Sequence, residues 1–281
     1  MTNTTRVLVT GATGKTGRRV TAILRGRGEP VRDASRTGGT PFDWTDLTTW
    51  HAALTDIAAV YIVTPDITDP AVVDQFRAFG QQAVSAGVTR ATLLSVPHTG
   101  PVDTSPTAAA EEELAKTGLG LTILRLRWFH QNFSEDFLTP AVIAGDLRLP
   151  AGDGREAFVD ADDIAEVVAR TLTDNSHVGR SYELTGPRLL SFTDIAHELT
   201  KATGRTITYT PLTTEEYIAE QIDAGTPEEW ARLSAHLYQG IASKALETTT
   251  TDIEQILGRP ARDFTDYAAH TVTQGTWVQR C

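Results

Sequence analysis

The stretch Gly11-Ala-Thr-Gly-Lys-Thr-Gly17 decides the fold, because it lies between an apolar run and an amphipathic one. The preceding run Arg6-Val-Leu-Val-Thr10 is typical of a short buried strand, and Lys15 to Gly28 of a helix that ends at a glycine. Glycine permits a tight turn with positive φ and close approach of an anion to the backbone, and a helix N-terminus offers unpaired N–H groups. The sequence therefore predicts a turn that binds a dinucleotide pyrophosphate, formed by Gly11, Thr13, Gly14, Lys15, Thr16 and Gly17.

Short apolar segments continue to alternate with amphipathic ones over the first half of the chain. The later runs predict strands at Pro30–Ser35, Thr40–Trp44, Ala59–Thr64, Ala91–Val96 and Leu119–Arg125, with helices at Pro70–Ala86 and Pro106–Thr117. Strands that are apolar throughout and separated by helices are typical of a parallel sheet covered on both faces. We therefore expect an α/β fold with a doubly wound parallel-sheet Rossmann domain, whose ligands bind at the carboxyl ends of the strands.

The end of the second predicted strand indicates which nucleotide binds. The strand is followed by Arg36, and a guanidinium group suits the 2′-phosphate of NADP(H) through paired, charge-assisted hydrogen bonds. We expect NADP(H) as cofactor, with NADPH preferred over NADH. Asp33 leaves NAD(H) open, since NAD-binding proteins place a carboxylate near this position for the ribose hydroxyl.

Three further strand ends complete the predicted cofactor site. Asp43 and Trp44 end the third strand and are candidates for contact with the adenine, although a turn aspartate and a core tryptophan fit the same pattern equally well. Thr64 and Pro65 close the fourth strand, and Ser95 lies at the end of the fifth, where the nicotinamide is expected.

The alternation becomes looser after about residue 145. We predict that the NADP-binding Rossmann domain spans residues 1–150, with strands returning from about 158–186. The remaining residues, 187–281, are predicted to form a mostly helical, substrate-binding part, a small C-terminal α/β cap. Trp128, Phe129, Asn132 and Phe133, directly after the sixth strand, are predicted to contact a small aromatic substrate, because aromatic side chains stack on flat ligands.

Composition and charge exclude several other classes of protein. The 281 residues carry a formal net charge of -11, which argues against a nucleic-acid partner. Cys281 is the only cysteine and no pair of histidines has helical ligand spacing, so neither an internal disulfide nor a metal site is expected. We find no signal peptide and no apolar run long enough to cross a membrane, and we predict a cytoplasmic monomer or homodimer.

Several of these motifs together resemble one family. The glycine turn, Arg36, Ser95, the stretch Arg125-Leu-Arg-Trp-Phe-His-Gln-Asn132 and the stretch Phe158-Val-Asp-Ala-Asp-Asp-Ile-Ala165 are similar to those of the NmrA-like atypical short-chain dehydrogenases. The resemblance implies a small C-terminal substrate domain. The family includes quinone, triphenylmethane and ergot-alkaloid iminium reductases, and polyketide-tailoring ketoreductases such as that of the simocyclinone pathway. It also includes redox sensors that bind NADP(H) and catalyse nothing.

One expected feature of short-chain dehydrogenases is missing. The resemblance implies a Tyr-x-x-x-Lys pair on the helix after the fifth strand, in which the tyrosine protonates the developing alkoxide. Ala108 and Glu112 occupy the corresponding positions, and no tyrosine occurs between Tyr61 and Tyr182. Lys116 lies one turn later and is expected to form a surface ion pair with Glu112.

Another source must therefore supply the proton. Ser95 and His98 are the candidate catalytic residues, and His130 is a further candidate because histidine titrates near neutral pH. Alternatively, a substrate with a phenol beside its ketone supplies its own proton, and an iminium ion needs none. The sequence thus favours an NADPH-dependent reductase of an aromatic ketone from secondary metabolism, such as a polyketide. A quinone or iminium reductase and a non-catalytic NADP(H) sensor are the alternatives.

Overall fold

The protein divides into two compact units, each discontinuous in sequence. The structure, a computed structural model, describes residues 6–63, 66, 69–98 and 105–277. The first unit comprises Met1–Arg127, Ala161–Leu184 and Asp252–Arg259, and the second comprises Trp128–Asp160, Thr185–Thr251 and Pro260–Cys281.

Strands and helices alternate in the first half and become irregular later. In chain order the strands are β1 (Val7–Val9), β2 (Val31–Ser35), β3 (Thr40–Pro41), β4 (Ala59–Val63), β5 (Arg90–Ser95), β6 (Gly120–Leu126), β7 (Asp146–Leu149), β8 (Arg155–Glu156), β9 (Ser181–Leu184), β10 (Leu190–Ser191) and β11 (Thr208–Pro211). The α-helices are α1 (Gly17–Gly26), α2 (Thr48–Leu54), α3 (Val72–Ser85), α4 (Pro106–Lys116), α5 (Thr139–Ala144), α6 (Ala161–Thr173), α7 (Phe192–Thr203), α8 (Thr214–Asp223), α9 (Glu228–Ala242), α10 (Asp252–Leu257) and α11 (Phe264–Thr273).

The first unit is built on a sheet of seven described strands in the order β3-β2-β1-β4-β5-β6-β9, and all of its pairings are parallel. Helices α2, α3 and α4 bury apolar side chains against one face, where Leu8, Ile62 and Leu93 point. Helix α6 lies on the opposite face, since Thr171 hydrogen-bonds to Thr92, the neighbour of Leu93. The predicted doubly wound Rossmann fold is confirmed.

The strand order reverses at β1, since β2 and β4 lie on either side of it. In an open parallel sheet, the carboxyl ends of strands beside such a reversal form the ligand crevice. The ends of β1, β2 and β4 therefore define the expected position of a nucleotide.

The second unit has a core of its own. Its two small sheets pair β7 with β11 in parallel and β8 with β10 in antiparallel orientation. Phe133, Phe158, Phe192, Tyr238 and Phe264 are fully buried or nearly so within this core.

The predicted boundary at residue 150 differs from the observed division. Residues 128–150 lie in the second unit, because β7 pairs with β11 and not with the large sheet. Conversely, α10 belongs to the first unit, where it packs on α6. Both crossings depend on pairings between distant segments, which periodicity along the chain does not reveal.

Most predicted elements of the first half lie within two or three residues of the observed ones. Helix α2 and the second-unit elements α5, β7, β8 and β10 were not predicted. They are two to seven residues long, too short for a periodic pattern. Within the described ranges, no helix combines the length and apolar character needed to span a bilayer.

Candidate functional site

The turn after β1 has a geometry that only glycine can supply at two positions. Gly11 has a φ of 59°, in the left-handed region. A Cβ on Gly17 would lie 2.2 Å from the carbonyl oxygen of Gly11, far inside contact distance. Gly14 tightens the same turn, because its N–H donates to the Gly11 carbonyl at 2.9 Å. The predicted tight turn between strand and helix is thus present, with α1 starting at Gly17.

Buried side chains hold this turn from beneath. The Tyr61 hydroxyl donates to Thr16 Oγ1 at 3.0 Å, and Thr10 Oγ1 donates to the Tyr61 carbonyl at 2.9 Å. Burial raises the pKa of Tyr61 well above that of a free phenol, so it keeps the proton that it donates. Thr16 therefore directs its side chain into the protein, whereas Thr13 and Gly14 are exposed. Lys15 is half-buried.

The end of β2 fits a 2′-phosphate. Arg36 is exposed in the turn that follows the strand. The hydroxyl of Ser35 is buried and forms no hydrogen bond with any described residue. Asp33, the residue that left NAD(H) open, forms an ion pair with Arg25 at 2.6 Å. The exposed guanidinium of Arg36 suits a phosphate, whereas the Ser35 hydroxyl has no surface that a ligand reaches.

Asp43 and Trp44 have structural roles in addition to the predicted contact with adenine. Asp43 Oδ1 accepts hydrogen bonds from the Thr45 N–H at 2.9 Å and from its hydroxyl at 2.8 Å. These bonds, with a smaller contribution from Arg36, lower the pKa of Asp43. Trp44 is half-buried, and its ring centroid lies 5.0 to 5.9 Å from those of Phe42, Trp50, Phe76 and Phe79. Contact of either residue with adenine stays a prediction, and the predicted Thr64 and Pro65 lie outside the described residues.

The ends of β5 and β6 carry a cluster of charged and polar side chains. Ser95 Oγ donates to Glu111 Oε1 at 2.5 Å. Glu111 Oε2 accepts from an Arg125 guanidinium nitrogen, also at 2.5 Å, and lies 3.2 Å from His98 Nε2. The same His98 nitrogen lies 3.0 Å from Arg125. The structure thus brings the predicted residues Ser95 and His98 into one cluster, here called the Ser95–Glu111 cluster.

Sequence analysis missed Glu111 and Arg125. The buried positions of α4 include Thr107, Glu111 and Leu114, which share one helical face. This spacing was a usable signal, because it places one carboxylate of the run Glu111-Glu-Glu113 against the sheet. Arg125 lies directly opposite Ser95 in the β5–β6 register, and only that pairing reveals the proximity.

Lys116 is remote from this chemistry. Its Nζ lies 2.8 Å from Glu113 and 4.0 Å from Glu112, and its side chain is 64% exposed. The expected surface ion pair is present, with Glu113 as the nearer partner. The bond from Lys116, together with one from Arg77, lowers the pKa of Glu113 to about 2.

In the second unit, Trp128 belongs to a group of aromatic rings. It stacks on Tyr238 with a centroid distance of 4.9 Å, and Phe137 meets it nearly edge-on at 6.1 Å. Trp128 is half-buried and Phe137 is 52% exposed, so these two rings present apolar surface. We call Trp128, Phe137 and Tyr238 the aromatic wall.

The other predicted substrate residues lie deeper. The ring of Phe133 is fully buried in the core between Phe158 and Phe264, so it packs the core and offers no surface to a ligand. Asn132 is 5% exposed, and Phe129 is half-buried beside Val159, with which it forms a β-bridge. The segment 130–133 forms a single 3-10 turn, and all four of its residues are buried.

His130 is a core residue rather than a proton donor at the surface. It is 1% exposed, and its Nδ1 lies 3.4 Å from Asp160. Its ring also meets those of Phe264 and Tyr267. In the part of the chain that the structure describes, no group of three or more His, Cys, Asp or Glu is arranged to hold a metal ion.

No protein-family model matches the chain. Festuclavine synthase I of Penicillium roqueforti (strain FM164) is 31% identical in an alignment of 281 positions, gaps included, that covers 94% of this chain and 97% of that protein. Agroclavine dehydrogenase of Claviceps fusiformis is 30% identical over 295 residues, covering 98% and 99%. The crystal structure of triphenylmethane reductase from Citrobacter sp., complexed with NADP(H), has a TM-score of 0.82 at 20% identity and covers 96% of this chain and 99% of that one.

These findings define the class of protein. The solved structure supports the fold, and relatives at 30% identity or more along nearly the whole chain define the family. The chain belongs to the NmrA-like atypical short-chain dehydrogenase/reductases.

Proposed function

We propose that this protein is an NADPH-dependent reductase of an aromatic ketone of secondary metabolism, such as a polyketide, and that the substrate supplies its own proton. The observation that carries the proposal is the hydrogen bond that the Ser95 hydroxyl donates to Glu111, because this bond points the one hydroxyl proton of Ser95 at a buried carboxylate. His98, the other candidate acid at this strand end, lies with its Nε2 between Glu111 and Arg125.

The first part of the proposal concerns the cofactor. The turn from Gly11 to Gly17 would hold the pyrophosphate, since it brings the N-terminus of α1, with its partial positive charge, to the strand end. The exposed guanidinium of Arg36 would hold the 2′-phosphate, which favours NADPH over NADH. NADPH, when bound, supplies the hydride. That the Citrobacter triphenylmethane reductase was crystallised with NADP(H) supports this choice.

The second part concerns the proton. The usual acid is absent, and Lys116 is bound to Glu113 on the surface. His98 Nε2 lies between Glu111 and Arg125, so that nitrogen is engaged within the cluster. A ketone that carries a neighbouring phenol solves the problem, because the phenol protonates the carbonyl oxygen as hydride reaches the carbonyl carbon. Solvent then returns a proton to the phenolate, and the reaction is balanced.

The third part concerns the substrate. Trp128 and Phe137 present apolar ring surface in the second unit, and Tyr238 stacks on Trp128. Offset-stacked and edge-on rings of this kind bind flat aromatic molecules favourably, by about 0.5 to 1.5 kcal/mol per pair beyond the burial of area. The aromatic wall therefore supports an aromatic substrate.

Reduction of a quinone or an iminium ion is the second candidate. The same Ser95–Glu111 bond favours it, because hydride transfer to an iminium carbon needs no proton at all. The similarity to festuclavine synthase I and agroclavine dehydrogenase also supports this candidate, since the family that the sequence resembles includes ergot-alkaloid iminium reductases.

The test measures the oxidation of NADPH by its absorbance. The candidate substrates are aryl ketones with or without an adjacent phenol, quinones and cyclic iminium salts. Faster turnover of the hydroxylated ketones supports the proposal, and turnover of iminium salts or quinones alone supports the second candidate. If no compound is reduced while NADPH and NADP⁺ bind with different affinities, the protein is a redox sensor and the proposal is wrong.

A further inference from the structure

The Ser95–Glu111 cluster is built around a buried carboxylate. The side chain of Glu111 is 5% exposed and that of Arg125 is 16% exposed, whereas that of His98 is 41% exposed. Both oxygens of Glu111 are used, Oε1 by Ser95 and Oε2 by Arg125. A buried carboxylate with a serine and an arginine as partners has a fixed orientation, since each partner specifies one oxygen.

The direction of these hydrogen bonds follows from the chemistry of the groups. An arginine side chain has donors only, and an ionised carboxylate accepts only. His98 Nε2 either donates to Glu111 or accepts from Arg125, and in both cases Glu111 stays an acceptor. The serine must therefore be the donor to Glu111, and because a hydroxyl has one hydrogen, it has only lone pairs left for any other group.

We infer that Glu111 is a positioning residue that fixes Ser95 as a hydrogen-bond acceptor, so that the group recognised at the end of β5 is a hydrogen-bond donor. This inference rests on the proposed function for the identity of the ligands. Two sources supply such a donor: the carboxamide N–H₂ of the nicotinamide, and a hydroxyl group on the aromatic substrate other than the phenol that protonates the carbonyl. A bare carbonyl oxygen or a methyl ether offers Ser95 no hydrogen.

Two matched pairs of probes distinguish these sources by equilibrium binding. The first pair is NADP⁺ and its 3-acetylpyridine analogue, in which a methyl ketone replaces the carboxamide and removes the N–H₂ group. The second pair is 1-naphthol and 1-methoxynaphthalene, titrated in the presence of saturating NADP⁺. If the carboxamide is the donor, only the first pair is discriminated. If the substrate hydroxyl is the donor, the second pair is discriminated. The preference for the donor-bearing member should be about fivefold, the equivalent of one hydrogen bond.

Three variants identify the cause of the preference. Ser95→Ala should abolish it by removing the acceptor. In Glu111→Gln the amide oxygen should face Arg125, which has only donors, and the amide N–H₂ should then donate to Ser95. The serine proton is released, so Ser95 can donate as well as accept, and the preference for the donor-bearing member should disappear. The control Glu112→Gln lies on the same helix with its side chain 75% exposed and should behave as the wild type.

The outcome that overturns the inference is a wild-type protein that binds both members of each pair equally, or that prefers the acceptor-only member. A preference that survives in Ser95→Ala also overturns it. If Glu111→Gln does not fold, the probe pairs with the wild type and Ser95→Ala still decide. Because binding is measured without turnover, loss of the reductase activity leaves this result intact, whereas failure to bind NADP⁺ contradicts the proposed function itself.

Discussion

Two regions at the carboxyl edge of the large sheet carry the candidate chemistry, one at the end of β1 and one at the ends of β5 and β6, and they are built in different ways. At the end of β1 the backbone makes the site, through the close approach of Gly17 to the Gly11 carbonyl. At the ends of β5 and β6 side chains make it, through the bonds of Glu111 to Ser95 and Arg125. The first site is local in sequence, and the second joins three separate segments.

The difference teaches which kind of function each end supports. A turn made of backbone has one geometry, which suits a constant ligand such as a pyrophosphate. A cluster of side chains is free to change one member at a time, which suits a variable substrate or reaction. This chain has the glycine turn of a dehydrogenase and, in place of the Tyr-Lys pair, a carboxylate-centred cluster.

The largest effect is expected from a substitution that crowds the β1 turn. In Gly17→Ala the new Cβ would lie 2.2 Å from the Gly11 carbonyl oxygen, so the turn must open. NADPH binding, measured by fluorescence titration, should weaken by on the order of 100-fold, equivalent to about 3 kcal/mol. Gly26→Ala is the matched control on the same helix, because a Cβ there meets nothing within 4 Å. If both variants lose the same NADPH affinity, the loss comes from placing alanine in α1 in general and not from the close approach at Gly17.

A smaller effect is expected at the neighbouring strand end. Arg36→Ala should raise the dissociation constant of NADPH about 30-fold, since a charge-assisted hydrogen bond contributes roughly 2 kcal/mol. Binding of NADH, which lacks the 2′-phosphate, should change little. Arg27→Ala removes another exposed arginine near the end of α1 and controls for the loss of general positive charge. Parallel losses for both nucleotides in Arg36→Ala would contradict the assignment of the 2′-phosphate.

The support beneath the β1 turn gives a smaller effect again. Tyr61→Phe leaves the hydroxyl of Thr16 without its donor and should lower the free energy of unfolding by about 1 kcal/mol near pH 7. Burial raises the pKa of Tyr61, so its contribution is complete below the unfolded value of about 10 and declines as the pH rises above it. Denaturant unfolding at about pH 7 and pH 11 checks this. If the difference in unfolding free energy between wild type and Tyr61→Phe grows at high pH, the predicted dependence on the Tyr61 proton is wrong.

The same contrast explains how much of each site the sequence alone predicts. The glycine turn is specified by seven consecutive residues that directly follow a short apolar strand, and Arg36 is specified by its place after the next strand. The Ser95–Glu111 cluster was only half predicted, because the proximity of Arg125 depends on the β5–β6 register and that of Glu111 on how α4 packs. Phe133 illustrates a different limit: an aromatic residue next to a strand end gives no sign in sequence of whether it faces a ligand or the core.

The central claim is that no side chain at the end of β5 supplies the proton. The most direct test is the single-turnover rate of NADPH oxidation by an aryl ketone with an adjacent phenol, compared between the wild type and the double variant Ser95→Ala/His98→Ala. The substrate-assisted account predicts a rate within about tenfold of the wild type. A loss of about three orders of magnitude would contradict it and would show that the Ser95–Glu111 cluster is the acid.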